Sequence, residues 1–175
     1  LSEDLLKNIE RLVVINSQLG TPAEGMPFGP GPAKALDEAL SIARELGFKT
    51  VNLDHYCGYA EMGEGDDIVG IAGHLDIVPA GGDWTYDPFA LTRKGDYVYG
   101  RGTTDDKGPV LEALYAMKLL RDSGIRLNKR VRLIMGCNEE NGSSDLEYYQ
   151  AHAAMPPHVF TPDGNYPLIS IEKGM

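Results

Sequence analysis

The sequence predicts an α/β layered domain built on a largely parallel sheet. Strand-like apolar runs alternate with stretches of helical periodicity, the order that wraps helices around parallel strands. No internal repeat and no linker divides the 175 residues, a length that fits one core and should bury roughly 70% of the unfolded surface. The apolar runs end in polar clusters, and in such sheets ligands gather at the carboxyl ends of strands.

The elements follow in order. Ser2 is an N-cap for a helix whose stripe is Leu5, Ile9, Leu12 and Val13, one face at a period of 3.6. A Gly/Pro-rich loop, LGTPAEGMPFGPGP, leads to a second helix beginning near Pro32. Its stripe is Leu36, Leu40, Ala43 and Leu46, and Gly47 stands just past its end, where a left-handed residue commonly closes a helix. TVNLDHY and GYAEMG read as two short strands, DDIVGIAGHLD as an apolar strand with a polar end, and DYVYGRG as holding a short strand. A helix between Gly108 and Ser123 carries Val110, Leu114, Met117 and Leu120 on one face. RVRLIMGCN is a strand, SDLEYYQAHAAM a helix that stops before Pro156, and HVFTPD and PLISIEK are strands.

Composition excludes some classes. Asp and Glu number 26 against 16 Lys and Arg, a formal charge of −10. That opposes nucleic-acid binding, which depends on neutralising phosphates, and is compatible with holding cations. Cys57 and Cys137 form no CxxC pair, so a reducing compartment is expected. No run of about 18 apolar residues marks a membrane span, and no signal peptide is visible. The expectation is a cytoplasmic protein without nucleic-acid or membrane partners.

Four clusters carry the chemistry. In GHLDIVP, His74 and Asp76 stand two apart at a strand end. There a carboxylate can hold one imidazole nitrogen and leave the other for a metal. The same pair also reads as a core histidine with its acid. In GRGTTDDKGP, Asp105 and Asp106 precede a helix, which suits an N-cap, although one Asp suffices for a cap. NEENGSS places Glu139 and Glu140 directly after an apolar strand. Adjacent side chains point apart, so one can bind metal while the other acts on a water. As a surface turn the stretch would be unremarkable. In FTPDGNYP, Asp163 follows a short strand and alone reads as a turn residue. Together the four supply a histidine and several carboxylates, a donor set suited to zinc, manganese or cobalt. Cys137 packs beside a strand end, with a metal role left open.

The ordered series GHLDIVP, GDWTYDPF, YGRGTTDDKGP, NEENGSS, TPDGNYP and EKG resembles the co-catalytic zinc peptidases that include aminoacylase, carboxypeptidase G and carnosinase. With FGPGPAKALDEALSIARELGF and PAGGDW it looks most like the peptidase V-type dipeptidases. The resemblance implies a three-layer sandwich with a mixed, largely parallel sheet of the zinc-exopeptidase kind. It also implies hydrolysis of dipeptides by a water between two zinc ions, with Mn2+ or Co2+ as substitutes. His74, Asp105, Glu140 and Asp163 would be metal ligands, Asp105 bridging. Asp76 would clamp the His74 ring, Glu139 would be the general base, and the Asp105–Asp106 peptide would be cis. His55, His152 and His158 match no motif position.

Members of that family run on past the EKG stretch into a lid and then return to the catalytic domain. Residues 1–175 are therefore expected to be the N-terminal portion of that domain, without the lid or the last metal-binding histidine. Such a chain should bind one metal well and a second weakly, hydrolyse dipeptides poorly, and self-associate through an exposed sheet edge. Two alternatives stand beside this reading. One is an amidohydrolase of N-acyl amino acids or succinylated diamines on the same scaffold. The other is a non-catalytic metal-binding module, which would have no need of a free Glu139.

Overall fold

The structure, a computed structural model, describes residues 2–164. The expected strand at 167–173 and the EKG stretch lie outside the described residues. Helix α1 spans Glu3–Val13 and opens as expected, with Ser2 accepting a hydrogen bond from the Leu5 amide. Helix α2 spans Pro30–Glu45. It starts two residues before Pro32 because Pro30 already supplies the φ that a first helical turn needs.

Strands β1 (Lys49–Leu53), β2 (Cys57–Met62) and β3 (Ile68–His74) follow. A separate hairpin pairs β4 (Thr92–Lys94) with β5 (Tyr97–Tyr99). Helix α3 (Lys107–Asp122), strand β6 (Arg130–Gly136), a 3₁₀ turn at Glu139–Asn141, helix α4 (Ser144–His152) and strand β7 (His158–Phe160) complete the order.

The main sheet runs β1-β2-β6-β3-β7. It is mixed: β6, β3 and β7 run parallel, and the β1–β2 hairpin adds antiparallel ladders at the other side. Helix α3 links β3 to β6, whereas α4 carries the chain from β6 back past β3 to β7. These two crossovers step in opposite directions, and connections of one hand then place their helices on opposite faces. The β6 side chains agree. Leu133 and Met135 join the core under α1, α2 and α3, while Ile134 packs with Tyr149 of α4. The result is three layers.

The predicted stripes form the larger core. Leu5, Ile9, Leu12 and Val13 of α1, Leu36 and Leu40 of α2, and Val110, Leu114 and Met117 of α3 are buried. Each such side chain contributes about 1.5–3 kcal/mol of transfer free energy. Leu120 departs from expectation. It is 41% exposed, and Leu111 takes its place in the core. The last turn of α3 runs beyond the packed layer, as the exposed Leu119 shows. No described helix is long and apolar enough to cross a membrane.

Candidate metal centre

Parallel pairing brings the polar clusters to one rim. His74 ends β3 directly opposite Gly136 at the end of β6, and the Leu75 amide donates to the Gly136 carbonyl at 2.9 Å. The chain leaving β7 brings Asp163, and the entry to α3 brings Asp105 and Asp106. Three strand ends and a helix start thus supply the acids.

His74 is 2% exposed. Its Nδ1 lies 3.0 Å from the Asp76 carbonyl oxygen and 3.4 Å from the Asp76 carboxylate. A carbonyl only accepts, so Nδ1 carries the hydrogen and Nε2 faces the acids. The expected hold on the ring was through the Asp76 carboxylate, but the main-chain oxygen makes the hydrogen bond and the carboxylate stands farther off. The Asp76 carboxylate instead accepts the amides of Glu139 and Glu140, each at 3.1 Å.

Nε2 is buried without a hydrogen-bond partner among the described residues. It lies 3.0 Å from Asp105 Oδ1, 3.3 Å from Asp163 Oδ2 and 3.9 Å from Glu139 Oε2. Donor atoms of His74, Asp105 and Glu140 fall within 4.8 Å of one another, as do those of His74, Asp106 and Asp163. A buried imidazole nitrogen ringed by carboxylates fits a divalent cation of the zinc class. All four expected ligands are brought together, with Glu139 beside them and in neither donor set. His55, His152, His158 and Cys137 also enter neither set. Cys137 is buried in the main core instead.

Asp106 was not among the expected ligands. The Asp105–Asp106 peptide is cis, and the Asp106 carboxylate makes no cap bond to α3. Its Oδ2 accepts the His74 amide at 3.1 Å, while Oδ1 is buried and unpartnered among the described residues. Gly73 makes this approach feasible, since a Cβ there would run into the Asp106 carboxylate and Val110. The adjacent acidic pair was the available signal, but the sequence does not show that both members reach His74.

Electrostatics report the crowding of acids. Burial pushes the His74 imidazole down, yet hydrogen bonding and charge from Asp76, then Asp106 and Asp163, outweigh it and lift the ring to about 10. Burial raises Asp106 to about 7. Burial also raises Glu139 and Glu140, with further upward pushes from Asp163 on Glu139 and from Asp105 on Glu140. Beside the acids, Trp84, Tyr99, Arg101, Thr104 and Asp105 line a hollow of about 270 Å³.

The family model described as peptidase family M20/M25/M40 matches residues 70–169, more than half of the chain. The chain belongs to peptidase family M20/M25/M40. The matched stretch contains every candidate site residue named above, from His74 to Asp163. A Beta-Ala-Xaa dipeptidase from Lactobacillus delbrueckii subsp. lactis is 42% identical over 174 residues, covering 98% of this chain and 37% of that protein. Human carnosine dipeptidase 1 superimposes with a TM-score of 0.76 at 24% identity, over 94% of this chain and 39% of that one. The M20 family metallo-carboxypeptidase Sso-CP2 from Sulfolobus solfataricus gives 0.72 at 26% identity, over 92% and 37%. The chain therefore spans less than two-fifths of the length of each of these proteins.

Proposed function

We propose that the chain carries the metal centre and general base of a dipeptidase. The supporting observation is the buried, unpartnered Nε2 of His74 among carboxylates. His74, Asp105, Glu140 and Asp163 would hold two divalent cations, zinc by donor chemistry. Bound there, the ions would lower the pKa of a water and polarise the scissile carbonyl. Glu139, outside both donor sets, takes the proton of that water on its carboxylate and returns it to the leaving amine. Burial raises its pKa, the direction that favours a carboxylate accepting a proton. Asp76 fixes both the imidazole and the turn that carries the acids.

A dipeptide fits the 42%-identical relative named for Beta-Ala-Xaa substrates and the aromatic-walled hollow beside Asp105. That likeness favours dipeptides over N-acyl amino acids or succinylated diamines. A retained Glu139 argues against a purely metal-binding module. With both cysteines free, the reading is of a cytoplasmic enzyme.

Zinc titration of chelator-stripped protein tests the ligand set. Glu140→Gln and Asp163→Asn should each weaken zinc at least tenfold, whereas Glu139→Gln should leave it within threefold. In the polypeptide as its organism makes it, Glu139→Gln should cut dipeptide hydrolysis by about 10²–10⁴-fold at unchanged zinc content. A wild-type chain that takes up no zinc would sink the proposal.

A further inference from the structure

Two buried carboxylates hold four consecutive amides where β6 turns into the acidic pair. Asp145, 1% exposed in the first turn of α4, accepts the Cys137 amide at 2.6 Å and the Asn138 amide at 2.9 Å on Oδ2. Its Oδ1 accepts the Leu146 amide at 2.8 Å. The Asp76 carboxylate takes the next two amides, those of Glu139 and Glu140. Asn138 is held in turn by the Ser144 hydroxyl, which donates to its Oδ1 at 2.8 Å, and by the Ser143 amide, which donates to its carbonyl at 2.9 Å.

A helix-capping role accounts for only one of the Asp145 contacts, the bond to Leu146. The other two reach back to the end of β6. Gly136 has the same bearing, because a Cβ there would run into the Asp145 carboxylate. A carboxylate taken out of water is costly unless hydrogen bonds compensate it, and here three amides converge on it.

We propose that Asp145 is a positioning residue that, with Asp76, forms a clamp on residues 137–140 and aims the Glu139 and Glu140 side chains into the metal centre. The inference rests on the metal reading of that centre. Asp145 touches no reacting group. It acts by denying the turn other backbone conformations.

The test uses zinc chloride and the purified chain, by isothermal titration and by amide hydrogen exchange, at a temperature where circular dichroism shows every variant folded. Asp145→Ala should weaken zinc about 10–100-fold, the usual cost of losing an outer partner of a metal site. It should also speed exchange at Cys137 and Asn138 at least tenfold while leaving the α2 amides slow. Asp145→Asn keeps one acceptor oxygen toward β6 and should fall between wild type and Asp145→Ala. It serves as the test if the alanine variant does not fold. Glu140→Gln should weaken zinc yet keep residues 137–140 slow, which separates loss of a ligand from loss of the clamp. Zinc affinity within threefold of wild type in the Asp145 variants, or undisturbed exchange at 137 and 138, would overturn the proposal while leaving the metal reading intact. A wild-type chain that binds no zinc would remove both.

Discussion

His74 is lifted to about 10 although burial opposes its charge, so the proton on this ring partly offsets the surrounding acids. A histidine whose folded pKa exceeds the unfolded value of about 6.5 adds stability that is complete below that value and fades as pH rises toward the folded pKa. Chelator-treated protein should therefore lose stability between pH 6.5 and 10, by at most about 1.4 kcal/mol per pH unit from this group. Urea midpoints measured across that range should decline more steeply for wild type than for His74→Gln, and equal slopes would refute the assignment. Zinc must displace the same proton, so its affinity should rise with pH. The motif residues His74, Asp76, Asp105, Glu139, Glu140 and Asp163 were legible because each ends an apolar run or opens a helix. Asp106 and Asp145 were not. Their roles are set by what lies across space, the His74 amide for one and the Cys137 and Asn138 amides for the other.

Helix α1 is tied to the site by a side chain from another element. Lys107, the first residue of α3, is fully buried, and its Nζ donates to the carbonyls of Leu12 at 3.0 Å and Ile15 at 2.7 Å. Ser17 just beyond donates to the Leu75 carbonyl at 2.6 Å. The segment that follows α1 is thus pinned to the loops bearing both Asp105 and Asp76. Lys107→Met would take this donor from the Ile15 carbonyl and leave the Leu12 carbonyl with only the Ile15 amide, and should cost about 1–3 kcal/mol, read by urea unfolding. Amides at the end of α1 should exchange faster, and unchanged exchange there would contradict the tether. This tether left no mark in the sequence, where Lys107 stands in GRGTTDDKGP just ahead of the helix expected between Gly108 and Ser123. The helices themselves were legible from apolar spacing. Strand β4 was not, because Thr92, Arg93 and Lys94 show no apolar alternation and gain their pairing only from Tyr97–Tyr99.

At the scale of the molecule, the centre draws on β3, the entry to α3, the end of β6 and the exit of β7. A ligand bound only by the folded state stabilises it by RT ln(1 + [L]/Kd), about 2.7 kcal/mol at a hundredfold excess over Kd. Zinc should therefore raise the melting temperature of the wild-type chain and raise that of Asp163→Asn by at most about half as much, a tenfold weaker site gaining about 1.4 kcal/mol. Among the described residues, strand β7 lies at a sheet edge with Val159 and Phe160 exposed. The predicted self-association through that edge should appear as concentration-dependent sedimentation that Phe160→Lys suppresses. The parallel order β6-β3-β7 has a kinetic corollary. Neighbouring strands here are distant in the chain, and closing such long loops is slow. His74 and Asp163 cannot meet until the crossovers on both faces have docked. Ion capture should accordingly be among the last events of refolding, trailing the rise of helical signal.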